Sequence, residues 1–190
     1  MKKIGLFFGT FDPIHIGHEK IAKYFLEKYF DKIWLIITPQ NPDKINENLT
    51  DESIRLDMAK IFCQNLENIS FSDIEYNLPK PNYTADTFVN IKKKYPKYNF
   101  SIIIGEDNLV GLEKWKNYEK ILEDKIYVYP RVSNAFNAKL KNHKSVVYSD
   151  APVMQISSSM VREKIRNNQE YSMLLPKIIS EFISKNKLYL

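Results

Sequence analysis

The amino-acid sequence predicts an α/β fold, doubly wound, in which helices cover both faces of a mainly parallel sheet. Short apolar runs alternate with amphipathic segments along the chain, which is the order expected when strands are followed by helices. The runs are apolar at successive positions, as strands buried on both faces are. In such sheets ligands bind at the carboxyl ends of the strands, so functional side chains are expected in the loops there.

The first half of the chain contains three predicted strands and two predicted helices. Residues 4–8 are apolar apart from one glycine and predict the first strand. Apolar residues then recur at helical spacing around residues 21–29, with charged residues between them, which predicts an amphipathic helix. The run KIWLII predicts a strand at residues 32–37, and a polar loop follows it. A helix near residues 53–64 and a strand near residues 69–72 complete this half.

The second half continues the alternation. A helix is predicted over residues 84–95 because Pro96 ends it, and FSIII predicts a strand that runs directly into Gly105. The remaining predicted elements are strands at residues 125–129 and 145–149 and helices at about residues 159–166 and 176–185. No internal repeat, low-complexity tract or linker separates these elements, so we expect a single domain over residues 1–190.

The composition is typical of a globular protein that handles anionic ligands. Hydrophobic residues make up 44% and charged residues 27% of the 190 residues, unlike a disordered sequence. The 28 basic and 23 acidic residues give a net charge of +5, which suits nucleic acids and small anionic substrates equally. The lysine run at residues 92–94 is interpreted as a solvated helix face, so we expect no nucleic-acid partner. The single cysteine, Cys63, excludes an intramolecular disulfide and a cysteine-rich metal site.

The N-terminal segment MKKIGLFF imitates the start of a signal peptide, but its apolar run ends by Asp12 and is too short for a signal. No stretch approaches the roughly 18 uninterrupted apolar residues of a membrane span. We therefore expect a cytoplasmic protein without a membrane partner.

The stretch FGTFDPIHIGH, residues 8–18, combines the features of a phosphate-binding turn. Gly9 lets the backbone approach a ligand, and Asp12 with the following proline turns the chain before a helix. His15 and His18 are three residues apart at that helix start, so both imidazoles can face one pocket. A helix N-terminus binds phosphate through free N–H groups, and histidines there can donate to phosphoryl charge. We interpret the stretch as handling phosphate; helix capping and metal binding are the alternatives, although two histidines alone make a poor metal site.

A second cluster, QISSSMVR, spans residues 155–162. Three consecutive serines open a helix, and Arg162 lies one turn into it, where a guanidinium could bind phosphate through two hydrogen bonds. Taken alone, this segment is better explained as a serine N-cap with a surface arginine. The phosphate-binding turn at residues 8–18 favours the functional interpretation, because a triphosphate needs groups at both ends.

Together, GTFDPIHIGH and ISSSMVR resemble the (H/T)xGH and ISSTxxR motifs of the nucleotidylyltransferase superfamily, whose members are relatives of the class I aminoacyl-tRNA synthetases. The remaining loops are similar to those of bacterial nicotinate mononucleotide adenylyltransferases. The similar segments are PQNPDK, RLDM, DIEYNLPKPNYTADT, IIGEDNL, Trp115 and YPR. The resemblance covers most of the chain, and the order of the segments is more specific than any one of them. It departs at Phe8, where the family often has a second glycine, and at Ser159, where a threonine is usual.

The resemblance implies a Rossmann-like fold and a reaction of ATP with nicotinate mononucleotide that gives nicotinate adenine dinucleotide and pyrophosphate, with Mg²⁺ accompanying ATP. It also implies the roles of the site residues. His15 and His18 would contact the α-phosphate, and the other ATP-binding residues would be Gly9, Thr10, Phe11, Gly105, Asp107, Ser157, Ser158 and Arg162. The mononucleotide would be bound by Lys44 and Arg131 at its phosphate, by Trp115 at its ring, and by Tyr83 and Thr84 at its carboxylate. No side chains are implied as metal ligands, and a homo-oligomer is compatible with the resemblance.

Three other functions are weighed against this one. A synthetase is disfavoured because its lysine loop is absent and the chain has no length for an anticodon-reading domain. Another small-molecule nucleotidylyltransferase, similar to phosphopantetheine adenylyltransferase, remains open, although that enzyme usually has Thr where this chain has His15. A non-catalytic nucleotide-binding protein is disfavoured by the presence of His15, His18 and Arg162 together.

Overall fold

The computed structural model describes residues 1–131 and 139–190, and this part of the chain contains six strands and seven α-helices. The strands are Lys2–Gly9 (β1), Lys32–Ile37 (β2), Ile69–Ser72 (β3), Tyr98–Gly105 (β4), Ile126–Tyr129 (β5) and Val146–Tyr148 (β6). The α-helices are Ile16–Lys28 (α1), Glu52–Cys63 (α2), Thr84–Lys94 (α3), Glu106–Gly111 (α4), Tyr118–Ile121 (α5), Ser158–Arg166 (α6) and Lys177–Lys185 (α7). Short 3₁₀ helices lie at Pro42–Lys44, Ile74–Asn77, Leu112–Lys114, Lys139–Asn142 and Ser172–Leu174.

The six strands form one parallel sheet in the order β3-β2-β1-β4-β5-β6. From β1 the chain adds β2 and then β3 on one side of the sheet. It then crosses back to add β4 on the other side of β1, and β5 and β6 follow on that side. Adjacent β1 and β4 are therefore followed by connections that lead to opposite sides, and a crevice opens between their carboxyl ends. Gly9, at the end of β1, pairs with Ile37, and Gly105, at the end of β4, pairs with Tyr129.

The side chains of the strands alternate between two hydrophobic cores, one on each face of the sheet. Phe7 and Ile103 enter the core that α1, α2, α6 and α7 cover, which we name the first core. Leu6 and Ile102 enter the second core, which α3, α4 and α5 cover. Both faces of the sheet are thus buried under helices, and the doubly wound arrangement predicted from the sequence is confirmed.

The predicted strands and helices all correspond to observed ones, with ends that differ by at most two residues except at α1, which begins five residues before the predicted helix, but α4 and α5 were not predicted. These helices contain six and four residues, too few turns for an amphipathic period to be recognisable. In the sequence, α4 precedes Trp115 and α5 follows it. Both helices contribute side chains to the second core. Within the described ranges, none of the helices is long and apolar enough to cross a membrane.

Candidate active site

The turn after β1 forms the floor of the candidate site. Thr10 and Phe11 are buried, and Phe11 has a φ of 49°, in the left-handed region. The Phe11 ring lies in the first core, edge-on to Phe7 with 5.8 Å between the ring centroids. A Cβ atom on Gly9 would lie only 3.1 Å from the Phe11 ring. The absence of a side chain at Gly9 therefore makes room for this ring. Because the Phe11 ring is buried in the first core, the backbone of the turn is the part that can contact a ligand.

His15 and His18 are held together at the start of α1 by reciprocal hydrogen bonds. His15 is the N-cap, and its Nδ1 accepts the backbone N–H of His18 at 3.3 Å. The Nδ1 of His18 accepts the backbone N–H of His15 at 3.2 Å, which completes a capping box made of two histidines. The rings are stacked with 3.6 Å between their centroids and an interplanar angle of 19°. A Cβ atom on Gly17 would lie 2.9 Å from the His15 ring, so glycine here makes room for the stack.

These hydrogen bonds fix the protonation of both rings. An Nδ1 atom that accepts a hydrogen bond carries no proton, so the proton of each neutral imidazole is on Nε2. Burial, and then the nearby charge of Arg131, lower the pKa of His15 to about 3. Burial also holds the pKa of His18 well below its ordinary value, and the neighbouring imidazole and the charges of Arg131 and Lys44 add to this shift. Both rings are therefore neutral at physiological pH, and each offers an Nε2–H donor.

The start of α6 lies against the same turn. Ser157 is the N-cap of α6, and its Oγ accepts the backbone N–H of Met160 at 3.1 Å. The hydroxyl of Ser158 donates to the backbone oxygen of Pro13 at 2.9 Å. Arg162 Nη1 donates to the backbone oxygen of Asp12 at 2.7 Å. The structure thus brings the two predicted phosphate motifs together, through contacts between residues 145 and 150 positions apart in the sequence.

Arg162 is not the surface residue that the alternative interpretation expected. Its side chain is only 12% exposed. Its Nη2 lies 3.3 Å from the Ser159 hydroxyl, and its buried Nε has no hydrogen-bond partner within residues 1–131 and 139–190. A buried donor without a partner is rare in proteins, and a ligand oxygen at this place would satisfy it. The N-cap part of the alternative does hold, because Ser157 caps α6.

Gly105 and Asp107 lie where β4 meets α4, on the other side of the crevice. A Cβ atom on Gly105 would lie 2.3 Å from Asp107 Oδ1 and 3.2 Å from the Tyr129 ring, so only glycine fits without a shift. Asp107 Oδ2 is 3.5 Å from Arg131 Nε, and its side chain is 50% exposed. An ion pair this exposed is weak, so both charged groups remain available to a ligand.

A cavity of about 140 Å³ opens beside the turn, between the ends of β1 and β4 and the start of α3. Gly9, Tyr83, Thr84 and Trp115, which were predicted as site residues, all line it. Tyr83 is the N-cap of α3, and its side chain makes no capping hydrogen bond. The first N–H groups of α3 therefore have no acceptor from the N-cap side chain, and Tyr83, Thr84 and Ala85 line the cavity at this helix end.

Trp115 and Lys116 form one wall of this cavity. Trp115 is half-buried and packs against the second core, so it is both a packing residue and a lining residue. Lys116 was not predicted as a site residue. Its Nζ lies 4.5 Å from the centroid of the Tyr83 ring and 2.9 Å from Asp86 Oδ2. A cation thus stands at the uncapped end of α3.

Lys44 and Arg131 do not line the cavity. Lys44 is in the 3₁₀ helix whose Pro42 and Asp43 do line it, and its Nζ is 3.4 Å from Glu47 Oε2. The charges of Lys44 and Arg131 both lower the pKa of His18, so both cations lie near the histidines. The structure therefore groups these two predicted residues with the phosphate-binding turn rather than with the cavity.

Arg55 organises the loops around the site, and sequence reasoning assigned it no role. This residue of α2 is 1% exposed. Its guanidinium donates to four backbone oxygens at 2.6–2.9 Å, those of Thr10, Thr38, Pro39 and Thr50. The loops after β1 and β2 are thereby joined through one side chain. The segment RLDM was part of the resemblance, but nothing in its pattern indicates contacts to distant carbonyl groups.

Carboxylates at the site do not form a metal cage. In the part of the chain that the structure describes, no group of three or more His, Cys, Asp or Glu side chains is arranged to hold a metal ion.

The sequence is similar to that of a known protein family and of several curated relatives. The family model for cytidylyltransferase-like proteins matches residues 6–164. A probable nicotinate-nucleotide adenylyltransferase of Flavobacterium johnsoniae is 45% identical over 190 residues, which cover 98% of this chain and 98% of the relative. Another, from Bacillus licheniformis, is 32% identical and covers 100% of this chain and 99% of the relative.

Solved structures give a matching result for the fold. The nicotinic acid mononucleotide adenylyltransferase of Plasmodium falciparum in complex with NaAD has a TM-score of 0.83 and 24% identity, over 100% of this chain and 98% of that chain. The same enzyme in complex with APC has a TM-score of 0.82 and 23% identity, with the same coverage. At these identities the likeness shows a shared Rossmann-like fold.

Proposed function

Because the chain belongs to the nicotinate-nucleotide adenylyltransferases, within the cytidylyltransferase-like family, we propose that it transfers the adenylyl group of ATP to nicotinate mononucleotide. The products are nicotinate adenine dinucleotide and pyrophosphate. The observation that carries this proposal is the phosphate-binding turn, where two neutral histidines and Arg162 meet beside a cavity with an uncapped helix N-terminus.

In the proposed reaction, a 5′-phosphate oxygen of the mononucleotide attacks the α-phosphorus of ATP. A new P–O bond forms there, and the bond from the α-phosphorus to the bridging oxygen of the β-phosphate breaks, so pyrophosphate leaves with the electron pair. The attacking phosphate is already an anion and requires no general base. The protein's task is therefore to position two anions and to stabilise the charge that develops between them.

The histidines fit the second part of this task. We assign the Nε2–H groups of His15 and His18 to the α-phosphate oxygens, where negative charge builds up in the transition state. Their low pKa values support this role, because neutral rings whose Nδ1 atoms are engaged can only donate from Nε2. Lys44 and Arg131 would supply positive charge nearby for the incoming mononucleotide phosphate.

The rest of the ATP site is assigned to both sides of the crevice. Ser157, Ser158 and Arg162 would hold the β- and γ-phosphates. The buried Nε of Arg162, a donor without an acceptor among the described residues, supports this assignment. The backbone of Gly9, Thr10 and Phe11 would pass close to the nucleotide. Gly105 and Asp107 would contact the adenosine, with the Asp107 carboxylate accepting from the ribose hydroxyls.

The acceptor site is assigned to the cavity at the start of α3. Trp115 would stack on the pyridine ring, and the N–H groups at Tyr83 and Thr84 would receive the carboxylate. A helix N-terminus carries partial positive charge and offers donors only, so it suits a carboxylate better than a carboxamide. Lys116 lines the same cavity, and its pairing with Asp86 removes the negative charge that this carboxylate would otherwise place there.

Mg²⁺ is expected to arrive as part of the ATP substrate. The described side chains form no cage for it, and this ion commonly keeps several waters and binds substrate phosphates. When bound, it would neutralise charge on the phosphates. The single domain over residues 1–190, the homo-oligomer and the cytoplasmic location remain predictions.

Pyrophosphate release from ATP, measured with nicotinate mononucleotide and with its amide side by side, tests this function. We expect the acid to be preferred by at least about tenfold in kcat/KM. The N–H groups of the amide would face only other donors, and leaving them without acceptors costs roughly 1–3 kcal/mol of binding free energy. Replacing ATP by CTP is the control for the nucleotide and should abolish most of the rate. No pyrophosphate with either mononucleotide would reject the proposed acceptor, and equal rates would reject the role of the α3 N-terminus.

A further inference from the structure

Asp12, in the turn between β1 and α1, has a fully buried carboxylate. Its Oδ2 accepts the backbone N–H of Thr50 at 3.1 Å and lies 3.8 Å from Nη1 of Arg162. The same Nη1 donates to the backbone oxygen of Asp12 at 2.7 Å. A buried carboxylate is tolerated when donors and an opposite charge surround it. The position of the Asp12 carboxylate and that of the Arg162 guanidinium are therefore linked.

Another donor to this carboxylate comes from Tyr189, in the segment that follows α7. Its hydroxyl donates to Asp12 Oδ1 at 2.7 Å, across 177 residues of sequence. Burial, and then the charge of Asp12, raise the pKa of Tyr189 above its ordinary value, so the hydroxyl keeps its proton. Tyr189 and the neighbouring Leu188 pack against the first core. The donor is thus anchored by packing that is independent of the bound nucleotide.

The direction of the Arg162 guanidinium depends on these contacts. Its Nη1 is held at Asp12 and its Nη2 lies 3.3 Å from the Ser159 hydroxyl, while its buried Nε has no partner among the described residues. The contact to Ser159 is the longer of the two, so the planar guanidinium can still turn slightly about its bond to Asp12, and a small turn redirects the Nε–H. A carboxylate whose two oxygens are fixed by separate donors limits that turn.

We propose that Tyr189 is a positioning residue for ATP: its hydroxyl fixes the Asp12 carboxylate, and this sets the direction in which Arg162 presents its free donor to the triphosphate. The proposal rests on the proposed function only in assigning the triphosphate to Arg162. It is independent of which acceptor receives the adenylyl group.

Tyr189→Phe tests it, because phenylalanine keeps the ring in the core and removes only the hydroxyl. The dissociation constant of a non-hydrolysable ATP analogue with Mg²⁺ is measured by calorimetry in the absence of any acceptor. We expect about fivefold weaker binding, the scale of one hydrogen bond to a charged group acting through a neighbour. The matched control is Tyr171→Phe, since Tyr171 packs against the same core and should leave the affinity unchanged. Binding by Tyr189→Phe equal to that of the wild type would overturn the proposal.

A double-mutant cycle separates positioning from a general loss of packing. Arg162→Lys keeps the charge but loses the planar fork that Asp12 orients. If Tyr189 acts through Arg162, adding Tyr189→Phe to Arg162→Lys should change the affinity by less than about twofold. A full fivefold effect in that background would show that Tyr189 acts by another route. If the analogue binds as described but nicotinate mononucleotide yields no pyrophosphate, the proposed function fails while this inference stands.

Discussion

At the scale of single residues, the roles that we propose for His15 and His18 are those of neutral hydrogen-bond donors rather than of acids or bases. His15 and His18 cap each other's backbone through Nδ1, and both Nε2–H groups remain without a hydrogen-bond partner among residues 1–131 and 139–190. An imidazole that is already a donor does not have to exchange a proton during the reaction. Such donors stabilise developing charge without reorganising, which is the arrangement that lowers a barrier most effectively.

His18→Ala is the direct test at this scale. We expect kcat for pyrophosphate release to fall by about 10²-fold or more, because a donor to transition-state charge is lost. The free energy of unfolding should fall by only about 1 kcal/mol, the scale of one helix cap. His143→Ala is the matched control, since this histidine lies before β6, and it should leave kcat unchanged. A near wild-type kcat in His18→Ala would remove this residue from the catalytic group.

At the scale of single elements, we propose that the start of α3 determines which acceptor fits. Its N-cap makes no side-chain hydrogen bond, and the acidic residue of its first turn, Asp86, is paired with Lys116. An unpaired Asp86 would place a negative charge where the substrate carboxylate is proposed to bind. Lys116 therefore neutralises this charge, and the partial positive charge of the helix N-terminus is left to attract an anion.

Replacing Lys116 with alanine should reduce the preference for the acid. We expect KM for nicotinate mononucleotide to rise about fivefold and KM for the amide to change by less than about twofold, because only the acid interacts with the lost charge. Steady-state kinetics at saturating ATP would measure both constants. Lys120→Ala, which removes an exposed lysine of α5 paired with Glu123, is the control and should change neither. An equal rise in KM for both acceptors would mean that Lys116 affects the shape of the cavity but does not distinguish the charged acid from the neutral amide.

At the scale of the whole molecule, two buried groups near the site give opposite contributions to the pH dependence of stability. His15 has a pKa of about 3 in the folded protein, below the value of 6.5 expected in the unfolded chain. Between these values the unfolded chain binds a proton that the folded protein does not, so the contribution of His15 to folding stability is lost as pH falls from 6.5 toward 3. Burial raises the pKa of Glu75 to about 7, and hydrogen bonds from Thr87 and Thr38 only partly oppose this shift. The contribution of Glu75 is therefore present at acid pH and is lost as pH rises from 4.5 through 7.

Glu75→Gln should isolate one of these contributions. Glutamine imitates the neutral carboxyl, so we expect the variant to gain stability relative to the wild type as pH rises, by up to about 3 kcal/mol between pH 4.5 and 8. The contribution of His15 is common to both proteins and cancels. Urea unfolding at several pH values measures the difference, with Glu119→Gln, at an exposed position, as the control. A stability difference that stays constant with pH would contradict the shifted pKa.

The global fold was predictable because each strand and each long helix carries its own local pattern. The phosphate-binding turn and the serine-capped helix were predictable for the same reason, since each is a short continuous motif. Contacts between distant segments carry no such pattern: the bond from Tyr189 to Asp12 and the bonds from Arg55 to backbone oxygens are not visible in the sequence. Lys116 was missed because its role depends on α5 and α3 being adjacent, and α5 is too short to predict.

Arg55 has a consequence for how the sequence of this site can diversify. Every bond it makes to the loops ends on a backbone oxygen, and every amino acid supplies one. The side chains at Thr38, Pro39 and Thr50 can therefore be exchanged without removing a single anchor, while position 55 cannot change without releasing all of them. The loops that shape the acceptor side are in this way free to vary in chemistry around a fixed backbone path, so new acceptor preferences could arise by substitutions that leave the scaffold intact.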